Sequence, residues 1–132
     1  MKKCELVLLI DDNDLDNYVN KSVIEKLDIA YEIKVLKNGL EAINYLKTLL
    51  EVDRFPDLIF LDLNMPVVNG FEFLKQYNAL KKTGNKEIKI VVLTSSSSDV
   101  DYSTAKSLGC SAYLEKPLTK AKISEVYNFI FS

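Results

Sequence analysis

The sequence contains no histidine, and only four glycines, three prolines and two cysteines. The missing histidine removes the commonest metal ligand and the commonest general base, together with every catalytic triad that depends on imidazole. Chemistry in this chain has to run on carboxylates, hydroxyls and lysines. The glycines form neither a G-x-G-x-x-G fingerprint nor a P-loop, which takes away the usual cradles for nucleotide phosphates. Cys4 and Cys110 stand alone, without C-x-x-C spacing, and read as reduced thiols. Met1 to Ile10 carries no signal-peptide pattern, and no apolar run approaches the ~20 residues that span a bilayer. The chain therefore reads as cytoplasmic, with no membrane partner. A formal net charge of -2 gives no electrostatic reason to expect nucleic acid.

What is present is globular composition. With 132 residues, 48% hydrophobic and 27% charged, the chain is long enough for one buried core and is expected to form one domain over residues 1–132. The apolar run Cys4 to Ile10 is too short for a stable helix and leads straight into an acidic cluster, so it reads as a buried strand. Leu15, Tyr18, Val19, Ser22, Val23 and Leu27 then recur at helical spacing, with Asp14 as the expected N-cap. Tyr31 to Leu36 is a second, more alternating strand. Gly39 opens a second helix whose apolar face is Leu40, Ile43, Leu46, Leu49 and Leu50, ending before Phe55-Pro56.

Leu58 to Leu61 is a short strand that stops at Asp62. After the Asn69-Gly70 turn, Phe71, Phe73, Leu74, Tyr77 and Leu80 fit a third helix closed by Thr83-Gly84-Asn85. Ile88 to Leu93 is the fourth strand, and Asp99 to Leu108 a weaker helix ended by Gly109. Ala112 to Leu114 is a brief fifth strand, and Lys120 to Phe131 a last helix with Ile123, Val126, Tyr127 and Ile130 inward. Five strands alternating with five helices predict a doubly wound α/β fold. Its parallel sheet is covered on both faces, and its ligands sit beyond the carboxyl ends of the strands.

On that reading four strand ends bring polar residues to one edge: Asp11 and Asp12, Asp62, Thr94 and Lys116. Singly, each is most simply a turn residue, a cap or a solvated strand end. Their convergence changes the reading. Three carboxylates crowded into a partly desolvated site repel one another and call for a cation. Oxygen-only ligands favour a hard divalent ion, and magnesium in particular bridges one or two carboxylates to phosphate oxygens. A carboxylate can attack phosphorus to form an acyl phosphate once nearby cations neutralise the transferring oxygens. Asp62, ending the central strand, is the expected nucleophile. Asp11 and Asp12 would hold metal, while Lys116 and the Thr94 hydroxyl would meet phosphoryl oxygens.

Five blocks in order now carry a family pattern along nearly the whole chain: Leu9-Ile10-Asp11-Asp12-Asn13, Pro56 through Pro66, Asn69-Gly70-Phe71-Glu72, Val91-Val92-Leu93-Thr94-Ser95, and Gly109 through Pro117. With them the sequence resembles the receiver domains of response regulators, single-domain and CheY-like. The resemblance implies a flavodoxin-like sheet of order 2-1-3-4-5. It also implies phosphorylation of Asp62 by a sensor histidine kinase or a histidine phosphotransfer protein, with the chain catalysing only its own phosphorylation and dephosphorylation. Magnesium, with manganese as the alternative, would be bound by Asp12, Asp62 and the main-chain carbonyl of Asn64, with Asp11 acting mainly through water. Thr94 and Tyr113 would be the switch pair, and Lys116-Pro117 a cis peptide.

In that scheme Thr94 moves toward the phosphoryl group and Tyr113 turns inward, reshaping the face of the fourth helix, fifth strand and fifth helix. No output domain is expected after Ser132. The signal is therefore expected to leave by that face to a downstream protein, or by relay of the phosphoryl group. The chain would be a monomer or a phosphorylation-dependent homodimer. Asn69 departs from the aspartate frequent there, and Ser95 to Ser98 reads as a solvated loop. The Asp-Leu-Asn-Met-Pro block with the serine run is also similar to regulators that partner phytochrome-type kinases.

Three rivals remain distinct. A phosphohydrolase would place a proton-donating acid two residues beyond the nucleophile, where this sequence has Asn64. A flavin or nucleotide binder would have a Gly- or hydroxyl-rich loop after the first strand, where this one has Asp11, Asp12 and Asp14. The third is an unphosphorylated docking module, against which every group that the chemistry requires is present.

Overall fold

A computed structural model describes residues 3–80, 87–95 and 98–131. Strands and helices alternate as β1 (Cys4–Ile10), α1 (Asp14–Leu27), β2 (Ala30–Leu36), α2 (Gly39–Glu51), β3 (Leu58–Asp62), α3 (Gly70–Leu80), β4 (Lys89–Thr94), α4 (Asp99–Ser107), β5 (Ala112–Glu115) and α5 (Lys120–Ile130). The strands form one parallel sheet in the order β2-β1-β3-β4-β5. This is the doubly wound, flavodoxin-like arrangement expected from the sequence.

The sheet's two faces follow from the period of two along each strand. Leu6, Leu8 and Ile10 of β1 join Ile59, Leu61, Ile90 and Val92 in one core with the apolar faces of α2 and α3 and with Ala105 of α4. Val7 and Leu9 join Leu58, Phe60, Val91 and Leu93 in the other, against Ile24 of α1 and Ile123, Val126 and Tyr127 of α5. The interior strands β1, β3 and β4 are apolar nearly throughout because both of their faces are covered. At the amino end of the sheet, buried Asp57 accepts a hydrogen bond from the Glu5 amide at 2.7 Å and fixes where β3 starts beside β1.

Two expectations need correction, both at α1. Its N-cap is Asn13, whose extended backbone places the side-chain oxygen 2.9 Å from the Asp16 amide; Asp14 is already inside the first turn. Of the recurring apolar positions, Val23 and Leu27 pack partly buried against the core, but Leu15, Tyr18 and Val19 face outward. Leu15 is 70% exposed and Tyr18 75%, while Asn17, Asn20 and Ile24 face inward. The start of α1 lies over the polar end of β1, where Asn17 Nδ2 donates to the Asp11 carbonyl at 2.8 Å, so the inner face needs hydrogen-bonding groups. Leu40 likewise points out of α2. Asn38, Ser98 and Thr119 cap α2, α4 and α5; Ser98, from the serine run, is thus a cap, and Ser95 is exposed. Thr83-Gly84-Asn85 lies outside the described residues.

Gly70 marks the closest approach of α3 to the working end of β3. A Cβ there would sit 2.7 Å from the Asp62 carbonyl oxygen and 2.8 Å from the Leu63 Cα, both backbone atoms with no room to yield. Gly109 differs: its φ of 94° is costly for other residues, but a Cβ would meet nothing within 4 Å. We predict that Gly70→Ala loses about 2–3 kcal/mol in urea denaturation and Gly109→Ala about 1–2 kcal/mol. A smaller loss at Gly70 than at Gly109 would disprove the packing argument.

Candidate functional site

The polar strand ends converge as the topology requires. Asp11 and Asp12 follow β1, Asp62 ends the neighbouring β3, Thr94 ends β4, and Lys116 follows β5. One carboxylate oxygen from each of Asp11, Asp12 and Asp62 lies within 4.8 Å of the others. Asp11 and Asp62 are buried, while Asp12 is exposed. Lys116 reaches across from the far side of the sheet. Its Nζ donates to Asp11 Oδ2 at 2.7 Å and to Asp16 Oδ2 at 2.9 Å, and stands 3.5 Å from Asp62 Oδ1.

Backbone contacts hold these groups in place. The Asn13 amide donates to Asp11 Oδ1 at 3.0 Å, and the Lys116 amide donates to the Thr94 carbonyl at 2.7 Å. The Lys116-Pro117 peptide is cis, as the resemblance implied. Thr94 is fully buried, and Tyr113 on β5 turns its hydroxyl inward, shielded from solvent, to the side of Thr94. Asn64 is exposed beside the cluster, and its backbone amide donates to the Asp62 carboxylate.

Comparison with known proteins agrees with this geometry. The family model of the response regulator receiver domain matches residues 7–128. The chain belongs to that family. It is 34% identical over 115 residues to the probable methanogenesis regulatory protein FilR2 of Methanothrix harundinacea, a match covering 86% of this chain and 73% of that protein. A two component response regulator from Cytophaga hutchinsonii superposes with a TM-score of 0.88 at 31% identity, covering 98% of each chain. The bacteriophytochrome response regulator RtBRR superposes with a TM-score of 0.81 at 29% identity, covering 98% of this chain and 78% of that one. The chain is accordingly a phosphoryl-accepting signalling switch of the two-component and phosphorelay type.

The electrostatics of this receiver domain are those of an acidic site short of positive charge. Burial pushes the Asp62 carboxyl up to about 6, and the neighbouring Asp11 charge adds to it; Lys116 and the Asn64 amide pull back without cancelling the rise. Lys116 shows the converse. Burial alone would lower its ammonium, but hydrogen bonds to Asp11 and Asp16 outweigh that and hold it above the ordinary lysine range. One ammonium therefore serves three carboxylates. The donor set is all oxygen and convergent, and it fits a hard divalent cation. Among the described residues no helix is long and apolar enough to cross a membrane.

Two features were not singled out from the sequence. Asp16 holds Lys116 from α1, and the only signal for it was a second aspartate in a first turn that already holds Asp14. Tyr102 of α4 packs its ring against Tyr113, with centroids 5.3 Å apart and planes at 77°; nothing in its spacing distinguished it from a solvated helix position.

The raised Asp62 carboxyl has a consequence for stability without metal. An acid whose folded pKa is about 6, against ~3.9 unfolded, is bound more tightly to its proton in the folded state. Stability therefore falls as pH rises from about 4 to 6, and the full cost is present above 6. We expect metal-free Asp62→Asn to be more stable than wild type by about 1–3 kcal/mol at pH 7.5, with the difference shrinking toward pH 4. Equal stabilities at both pH values would show that Asp62 is not electrostatically frustrated.

Proposed function

We propose that Asp62 is the phosphoacceptor, and that the site takes a phosphoryl group from a histidine-phosphate donor with the aid of a divalent cation. The observation that carries the reading is the approach of three carboxylates and one ammonium at a single strand edge. An Asp62 carboxylate oxygen attacks phosphorus; the new O–P bond forms as the donor's N–P bond breaks, and the electron pair stays with the imidazole nitrogen. Asp12, Asp62 and the Asn64 carbonyl would hold magnesium or manganese, with Asp11 acting mainly through water. Bound there, the cation neutralises charge on the carboxylates and on the transferring oxygens.

Lys116 leaves Asp16 to meet a phosphoryl oxygen. That exchange is cheap, because Asp16 is partly exposed and exposed ion pairs contribute little. The Thr94 hydroxyl donates to another oxygen, the inward Tyr113 settles into the space beside it, and the face of α4, β5 and α5 changes shape for a downstream protein. Return of the phosphoryl group to a histidine, or its loss to water, uses the same groups. The free thiols Cys4 and Cys110 suit a cytoplasmic setting.

The apolar residues that α1 turns outward supply a docking surface for the donor. Leu15 and Val19 share a cleft with Ser95, Lys116 and Pro117, directly beside the reactive edge. A donor packed there would present its phosphohistidine to Asp62.

Mass spectrometry after incubation with acetyl phosphate and magnesium tests the first claim. Wild type should gain one phosphoryl group and Asp62→Asn none; identical masses for the two would remove Asp62 from its role. A second measurement tests docking. Leu15→Ala with Val19→Ala should slow transfer from a histidine phosphotransfer protein about tenfold or more while leaving the acetyl phosphate rate unchanged. Equal slowing with both donors would place the defect in the site rather than in docking.

A further inference from the structure

Tyr113 occupies the inward position, toward Thr94. Its hydroxyl is shielded from solvent on the side of Thr94, and burial raises the phenol above its ordinary pKa range. The polar group beside that hydroxyl is the Thr94 side chain. Thr94 cannot be the constant support, since in the reading above its hydroxyl is the group drawn toward Asp62. The ring offers another anchor. Tyr102, one helix away on α4, meets Tyr113 edge to face at 5.3 Å and 77°, a geometry that the aromatic quadrupoles favour.

Tyr102 itself gains little from being there. It is 46% exposed and belongs to neither hydrophobic core. Its described aromatic contact is to a ring that has to rotate if the domain switches. We propose that Tyr102 is the positioning residue of the switch: its edge contact holds Tyr113 inward and ties the placement of α4 to the Tyr113 rotamer. The inference rests on Thr94 and Tyr113 forming the switch pair. Because the contact favours the inward state, it also raises affinity for any ligand that selects that state. By linkage, loosening the clamp must weaken such a ligand by the same factor.

The test uses the full chain as wild type, Tyr102→Phe and Tyr102→Ala. The Tyr113 side-chain rotamer is read by carbon-13 NMR couplings and ring shifts, assigned with Tyr113→Phe, both free and with beryllium fluoride and magnesium. Wild type and Tyr102→Phe, which keeps the ring edge, should show a predominantly inward rotamer when free. Tyr102→Ala should show averaging between rotamers, and its beryllium fluoride affinity should fall about two- to tenfold. At saturation Tyr113 should return inward in all three. Urea denaturation separates a clamp from a general defect, since the exposed Tyr102 should barely alter stability. An inward population in free Tyr102→Ala unchanged from wild type overturns the clamp, as does a predominantly outward ring in free wild type. Averaging without any loss of affinity supports the clamp and instead breaks the link between Tyr113 and Asp62, so the two readings fail separately.

Discussion

The working end of this domain depends on one electrostatic imbalance. Asp11, Asp12 and Asp62 share a small volume, two of them buried, and Lys116 is the ammonium that reaches in. A cluster of that kind is unfavourable to fold and useful to possess. The same desolvation that holds Asp62 near a pKa of 6 strengthens every favourable interaction that an incoming cation or phosphoryl group would make there. Charge is stored unsatisfied, and ligands relieve it.

The fold enforces the imbalance through connectivity rather than local preference. In a parallel sheet all carboxyl ends lie at one edge, so adjacent β1 and β3 bring their terminal aspartates together whatever else the sequence does. The crossover helices then have to begin at that same edge, and α1 adapts by turning Asn17 toward the Asp11 carbonyl. The adaptation has a visible by-product. With polar groups needed inside, Leu15 and Tyr18 go outside, and an apolar surface forms next to the reactive carboxylates. The carboxylate cluster at the edge and the apolar surface beside it have one structural origin.

This explains what could be read from residues alone. The strands, their order of appearance and the convergence of Asp11, Asp12, Asp62, Thr94 and Lys116 were legible, because long apolar runs ending in acid follow from burial and topology. The amphipathicity of α1 was not. Periodicity identifies a helix by its apolar stripe and assumes that the stripe faces the core, and over a polar strand edge that assumption fails. The Asn13 cap was missed for a related reason: three acidic or amide residues in succession could each cap, and only the extended backbone at Asn13 distinguishes them. Asp16 and Tyr102 act through partners about 100 and 11 positions away, distances at which spacing carries no information.

The inward Tyr113 sets limits on how the switch can work. An aromatic edge contact is worth ~0.5–1.5 kcal/mol, and the coupling between two sites in a protein is commonly ~1–3 kcal/mol. Those magnitudes overlap. If Tyr102 clamps Tyr113 as proposed, a contact of this size would pre-populate the inward rotamer without making it exclusive, and phosphorylation would complete a bias instead of creating a new conformation. The response at the α4 face would then be graded and compressed compared with a domain whose aromatic starts outside. The charge imbalance at the strand edge must supply most of what remains, and it can, because relief of a buried carboxylate cluster is the largest differential interaction the site offers.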